Sequence, residues 1–366
     1  MSAWYNIDLS AVDTPALIVD KGKVSHNIKS AISHAGGLER LRPHVKTHKS
    51  LDVAKMQVAA GIMKFKCATI PEAEMLGMAG ARDVLIAYQP QGPKVNRVLG
   101  LLNAYPLTNY SILIDNESSA ESINAIFKEG DKICSFYVDV NNGHNRTGIK
   151  TADVPALISN CINLPNIKLA GLHCYDGHIR MASLEDRVSN STAAFEEVIY
   201  LKNKLESKYA LQLNVVAGGS PSFSVHAAHH KVECSPGTFI FWDQRYGENY
   251  QEQPFQKAAV VATRVISKIN AYTYCLDLGH KSIASEFPFP RLKFITDHEL
   301  KQTGHSEEHL TVSCEEPDVL DVGQLLLGFP YHICPTVALY DHFHVVQDGA
   351  VIDLWKVTAR DRKITI

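Results

Sequence analysis

No run of about 18 apolar residues occurs in this 366-residue chain, so the sequence offers no membrane-spanning helix. The N-terminus, Met1-Ser2-Ala3-Trp4-Tyr5-Asn6, lacks the basic stretch followed by an apolar one that marks a secretory signal. An excess of either charge is missing too. Thirty-six Lys and Arg against 39 Asp and Glu leave a formal charge of −3, which supplies no field for nucleic acid or an anionic membrane. Cysteine is present, at 67, 134, 161, 174, 234, 275, 314 and 334, but never in C-x-x-C spacing, which excludes a zinc knuckle or redox dithiol. Those thiols read as reduced core residues. There is no internal repeat and no low-complexity tract. These absences lead us to expect a soluble cytoplasmic protein with no nucleic-acid or membrane partner.

What the chain does have is a 45% apolar composition and a length above that of a typical single domain, which suit a barrel with a smaller appended domain. Short β-branched runs recur between helix-length stretches. We read strands at 16–19, 41–45, 62–67, 84–87, 111–114, 133–140, 168–174 and 213–216, eight in all, as an α/β (β/α)8 TIM-type barrel requires. A helix over 23–35 should stop at Gly36-Gly37, and Pro71-Glu72-Ala73-Glu74 places proline and acids in a first helical turn. Beyond residue 245 the pattern changes to strands joined by polar turns, at 258–269, 272–278, 310–313, 345–347 and 351–355. The expected organisation is a barrel over 16–245 and a C-terminal β domain over 246–366, joined by residues 1–15.

The segment Leu41-Arg42-Pro43-His44-Val45-Lys46-Thr47-His48-Lys49 closes the second expected strand. By residue habit a lysine at such a place is a solvated charge. Here, however, period-two alternation puts His44, Lys46 and His48 on one face, and crowded basic groups favour a neutral amine. A neutral amine at a strand tip, where barrel active sites form, can condense with an aldehyde cofactor.

Other strand ends carry matching chemistry. Gly218-Gly219-Ser220-Pro221-Ser222 follows the eighth expected strand, where glycine amides and serine hydroxyls can meet an anion, and Ser235-Pro236-Gly237-Thr238 offers a second such turn. Either turn could instead simply reverse the chain. Together they point to a phosphorylated cofactor. Arg146, in the glycine-bracketed loop Asp139–Gly148, could grip a phenolate or carboxylate, or lie on the surface. His173 and Tyr175, two apart at the end of the seventh expected strand, could stack on and reach a planar ring; a satisfied core histidine is the competing account. The seventeen histidines exceed what composition leads one to expect. In Pro330-Tyr331-His332-Ile333-Cys334-Pro335-Thr336, read as extended, His332 and Cys334 project to one side as a nitrogen and a sulfur ligand suited to zinc. Asp341-His342-Phe343-His344 is a rival ligand cluster that reads more easily as the polar face of a strand.

Taken in order, Asp13–Asp20, Pro43–Lys49, the Arg146 loop, Tyr175-Asp176-Gly177-His178, Gly218-Gly219-Ser220 and the His332/Cys334 pair resemble the D-threonine aldolase and eukaryotic-type D-serine dehydratase family. That family comprises fold-type III pyridoxal-phosphate enzymes with an alanine-racemase-like barrel. The resemblance spans nearly the whole chain. It implies pyridoxal 5′-phosphate condensed with Lys46, with His44, Arg146, His173 and Tyr175 around the cofactor. Gly218, Gly219, Ser220, Gly237 and Thr238 would lie at its phosphate. It further implies a divalent metal, zinc in the first instance, on His332 and Cys334, with Lys46, His332 and Cys334 as the catalytic set.

The implied reaction is lysis of a D-3-hydroxy amino acid. Family members that cleave by retro-aldol chemistry tend to carry a carboxylate where Cys334 stands, so this chain leans toward dehydration of D-serine or a 3-hydroxy-D-aspartate to a keto acid and ammonia. Cleavage to glycine and an aldehyde is the alternative. A metal-independent racemase and a non-catalytic pyridoxal-phosphate carrier stand further off. By analogy a homodimer is expected.

Overall fold

The structure, a computed structural model, describes Trp4 and residues 7–366. It resolves into two compact units: a barrel unit of residues 29–46, 51–237 and 361–366, and a β unit of residues up to 28, 47–50 and 238–360. Of residues 1–15, expected to join the β domain, 1–3, 5 and 6 lie outside the described ones.

The first strand, β1 (Ala16–Asp20), belongs to the β unit. The barrel unit is a parallel sheet in which β2 (Lys64–Cys67), β3 (Asp83–Ile86), β4 (Asn109–Ile114) and β5 (Cys134–Asn141) are successive neighbours. The two-residue β6 (Ile149–Lys150) hangs on β5, and β7 (Ile167–Cys174), β8 (Asn214–Ala217) and β9 (Glu233–Cys234) continue the order. Parallel bridges from Leu41 to Cys234 and from His44 to Lys66 join the two edges, so residues 41–44 are the closing stave. Runs such as Val84-Leu85-Ile86 are wholly buried, as strands covered on both faces require. Leu85, Leu113, Tyr137 and Val216 pack together as an apolar cluster.

Local signals set the covering helices. Helix α1 (Lys21–Ala35) stops at Gly36 and Gly37, as the sequence predicts. The Thr69 side chain accepts from the Glu72 amide to cap Ile70–Met78, with proline in the first turn. Arg42, with no exposed surface, is held charged against its burial by Asp83 and Glu233.

One expected stave is displaced. Residues 16–19 are not a barrel strand; Glu233–Cys234 supplies the last stave instead. A short apolar run covered on both faces looks the same in a parallel barrel as in the middle of a mixed sheet. The correction moves the Gly218 turn to the end of the penultimate stave and the Ser235–Thr238 turn to the end of the last. Barrels commonly bind phosphate with the loops that follow their last two strands.

In the β unit, β1 pairs antiparallel with β10 (Ala259–Asn270), from Ala16 opposite Ala262 to Val19 opposite Ala259. The remaining strands are β11 (Thr273–Leu276), β12 (Leu292–Phe294), β13 (Lys301–His305), β14 (Leu310–Ser313), β15 (Leu325–Pro330), β16 (His342–Gln347) and β17 (Ala350–Lys356). Their order is β13-β14-β11-β10-β1-β16-β17, with β15 also on β10 and β12 on β15. Trp4, Leu9, Ile18, Val260, Ala262 and Val346 form a core cluster of this unit. Among the described residues no helix is long and apolar enough to cross a membrane, and all eight cysteines are free thiols.

Candidate functional site

In the barrel unit the chain stops running as a strand at His44 and turns over 45–48. The Lys46 amide donates to His44 Nδ1 at 3.2 Å, so the imidazole clamps the backbone of the lysine. The expected alternation of His44, Lys46 and His48 along one strand face therefore does not hold. His48, fully buried, falls in the β unit, where its Nδ1 accepts from the Ser50 amide at 3.1 Å. Lys46 is half-buried, and its Nζ lies 5.9 Å from the centre of the Tyr175 ring. The Arg146 guanidinium, at 4.9 Å, and Lys66 Nζ, at 5.7 Å, approach the same ring, and His144 meets it edge-on at 5.1 Å. Gly177 permits this crowding, because a Cβ there would stand 2.3 Å from a Tyr175 ring carbon.

The Gly218 turn is held from behind. Gly218 has φ +76°, and a Cβ on it would come within 2.5 Å of the His226 ring and 2.8 Å of Ser222 Oγ. Asp176, fully enclosed, accepts from Ser222 Oγ at 2.8 Å and pairs with His226 Nε2 at 2.7 Å. Burial works to raise its pKa, but His226 and Ser222 outweigh that and keep the carboxylate ionised. The Gly219 amide donates to Ser222 Oγ at 3.3 Å and the Gly237 amide to Ser220 Oγ at 3.2 Å, so both turns present amides and hydroxyls together. No local signal marks Ser222 or His226 as supports, since their partner Asp176 lies at another strand end.

His173 hydrogen-bonds Asp139 through Nδ1 at 2.8 Å, and Asp139 also accepts from Gln89 at 2.8 Å. Burial, aided by Lys66 and Arg146, lowers the His173 pKa against the pull of Asp139, which leaves a neutral imidazole. Its Nε2 is buried and, among the described residues, has no hydrogen-bond partner. An orphaned ring nitrogen, a tyrosine approached by three cations and two amide-hydroxyl turns fit a planar heteroaromatic group that carries a phosphate.

The β unit holds the other half of the predicted chemistry. His332 caps α10 (Ile333–Leu339), so the segment turns helical where an extended one was expected. Thr336 Oγ1 donates to the His332 carbonyl at 2.8 Å, and Asp243 accepts from the Ile333 amide at 3.2 Å; both bonds fix the helix start. The pair meets nevertheless. His332 hydrogen-bonds Cys334, and Glu286 sits on its Nδ1. Burial lowers the His332 pKa, but Cys334 and Glu286 overcome it and carry the imidazole up to about 9. Cys334 Sγ lies 3.1 Å from Thr47 Oγ1 and 3.5 Å from Thr238 Oγ1. Thr238, expected at the phosphate, thus falls in this unit, and Thr47 directly follows Lys46 in the chain.

Imidazole and thiol make a donor pair that a divalent cation can take over by displacing their protons, with the Glu286 carboxylate on the imidazole as its orienting partner. Among the described residues no group of three or more His, Cys, Asp or Glu side chains is placed to hold a metal ion, so His332 and Cys334 stand as a pair. The rival histidines lie on β16, where His342 pairs with Asp341 at 3.2 Å.

Comparison with known proteins adds a lineage. Residues 19–244 match the alanine racemase N-terminal domain family, and residues 258–346 match a serine dehydratase domain. A D-threonine aldolase of Arthrobacter sp. is 30% identical over 96% of this chain and 94% of its own. A 3-hydroxy-D-aspartate aldolase of Paracoccus denitrificans is 28% identical over 97% and 94%. The crystal structure of a D-threonine aldolase from Filomicrobium marinum superposes with a TM-score of 0.87 at 26% identity, covering 97% of each chain.

Proposed function

The chain belongs to the alanine racemase N-terminal domain family, with a serine dehydratase domain behind the barrel match, and from that premise we propose that it is a pyridoxal-phosphate- and metal-dependent lyase that dehydrates D-3-hydroxy amino acids. D-serine or a 3-hydroxy-D-aspartate would leave as a keto acid and ammonia. The observation that carries the choice of reaction is the His332–Cys334 contact, a nitrogen and sulfur donor pair inside the segment that matches the dehydratase domain.

Pyridoxal phosphate, once bound, supplies an electron-withdrawing ring that stabilises charge at the substrate carbon bearing the amino group. A divalent cation on His332 and Cys334 supplies a Lewis acid for a hydroxyl oxygen. The remaining work falls to side chains. Lys46 would hold the cofactor through its amine, and the same amine would serve as the base for the proton on that carbon. His44 fixes the Lys46 backbone, which limits where the amine can reach. Asp139 holds His173 in one tautomer, so that a neutral ring lies at the site. Asp176, through Ser222, fixes the Gly219 backbone and with it the shape of the turn that would receive a phosphate. Tyr175 offers its ring to the three basic groups Lys46, Lys66 and Arg146.

Retro-aldol cleavage to glycine and an aldehyde is the second reading, favoured by two of the near-full-length relatives, which are named as aldolases. Incubation with D-serine, D-threonine and D-threo-3-hydroxyaspartate, with keto acid and glycine assayed separately, divides the two. Keto acid and ammonia in equal amounts are expected; glycine without ammonia from every active substrate removes the dehydratase reading. A homodimer belongs to the same proposal and is read by sedimentation. Eight free thiols suit the reducing cytoplasm we propose as its setting.

A further inference from the structure

Three cationic side chains enter the barrel interior from neighbouring staves, and two are matched by acids. Arg42 lies between Asp83 and Glu233, and Lys64 contacts Glu233 at 3.1 Å and Glu39 at 2.9 Å. Lys66 is different. It is 2% exposed, and among the described residues no carboxylate lies within ion-pairing distance of its amine. Among the described residues its one hydrogen-bond contact is the carbonyl of Gly218, at 3.5 Å, the left-handed glycine that opens the first anion turn.

The two aspartates that act on it are committed elsewhere: Asp139 to His173 and Gln89, and Asp176 to His226 and Ser222. A buried ammonium with one long carbonyl contact and an aromatic ring 5.7 Å away, and no carboxylate in reach, is costly. Burial first, then the charges of Lys46 and Arg146, push the Lys66 amine down to about 7, with Asp176 and Asp139 opposing. On β7, His173 responds to the Lys66 charge by a lowered pKa, and the Cys174 thiol stays protonated.

We propose that Lys66 is a positioning residue of the cofactor site, whose amine takes up a proton when a phosphate-bearing pyridoxine ligand fills the Gly218–Ser220 turn, so that ammonium and anion are buried together. The proposal rests on the reading above that this turn receives such a ligand. The proton comes from solvent, and no bond other than N–H forms. An anion beside the amine favours its charged form, so the bound protein holds a proton that the free protein lacks. Affinity then falls as pH rises above 7, by up to about tenfold per pH unit from this group, until the amine of the complex itself titrates. Below pH 7 the ammonium is present in both states, and the group adds no dependence.

Pyridoxine 5′-phosphate has no aldehyde and cannot condense with Lys46, so its binding to cofactor-stripped full-length protein isolates this step. Calorimetry at pH 8 in HEPES and in Tris, which differ in ionisation enthalpy, counts the protons exchanged. Wild type should take up about one proton more than Lys66→Met or Lys66→Arg. Lys66→Arg, permanently charged, should also hold its affinity to pH 9 where wild type weakens. Equal uptake by wild type and Lys66→Arg overturns the proposal, and that comparison stands even if Lys66→Met does not fold. Borohydride fixation of pyridoxal phosphate on wild-type Lys46 reads the parent proposal separately. Fixation with equal proton counts sinks only the role of Lys66, whereas no fixation and no binding sink both.

Discussion

Lys46 differs from a surface lysine through its surroundings: a backbone amide clamped by His44, and an amine within 5.9 Å of a tyrosine ring that two further cations approach. His332 is defined in the same way, by a thiol two residues on and a carboxylate on its other nitrogen. Partners that orient a metal-bound histidine typically change metal affinity about 10–100-fold when removed. Glu286→Gln should therefore weaken divalent-metal binding by about that factor in a chelator competition, and Cys334→Ala should weaken it further. Unchanged affinity in both variants would remove the pair from the metal site.

Among the structural elements, the turn after β8 bears most on the cofactor. Gly218→Ala places a side chain at φ +76° and against the His226 ring, a conformation that costs an L-residue more than about 1 kcal/mol. The expected result is at least about a tenfold loss of pyridoxal-phosphate affinity, measured by fluorescence titration, with the fold retained. Wild-type affinity in that variant would mean that the turn does not carry the phosphate.

How far such elements were legible depended on how local their determinants are. The glycine pair after α1, the proline-started helix at Ile70 and the boundaries of Leu310–Ser313 are set by neighbouring residues, and the sequence shows them. Strand β1 was misplaced because its apolar run says only that both faces are covered, and not by what. Strands β12, β13 and β15 escaped notice: the first has three residues, the second is polar and carries a glycine, and the third includes Gly328 and Pro330. The His332–Cys334 pair was visible as spacing, although a helix start rather than a strand brings it together. Asp176, Ser222 and His226 could not be linked in advance, because their hydrogen bonds join residues 46 and 50 positions apart.

For the molecule as a whole, pH acts through buried bases that the fold keeps neutral. His230, half-buried with its ring tilted against that of Phe195 at 4.6 Å, is lowered to about 4 by burial first and by His226 and His229 after it. Between that value and the ordinary histidine range the unfolded chain binds the extra proton, so stability rises with pH there and is lost on acidification from about 6.5 toward 4. Urea unfolding across that window should show the slope in wild type and a flatter one in His230→Asn. An identical slope in the two would assign the acid sensitivity to other groups.

The central claim is that one amine anchors a vitamin B6 aldehyde, and the most direct measurement is borohydride reduction of the holoenzyme followed by peptide mapping. The account predicts a phosphopyridoxyl mass on Lys46 alone, and a Lys46→Ala protein with neither visible absorbance nor turnover. A label on another lysine, or a Lys46→Ala protein that keeps both its colour and its full rate, would contradict it.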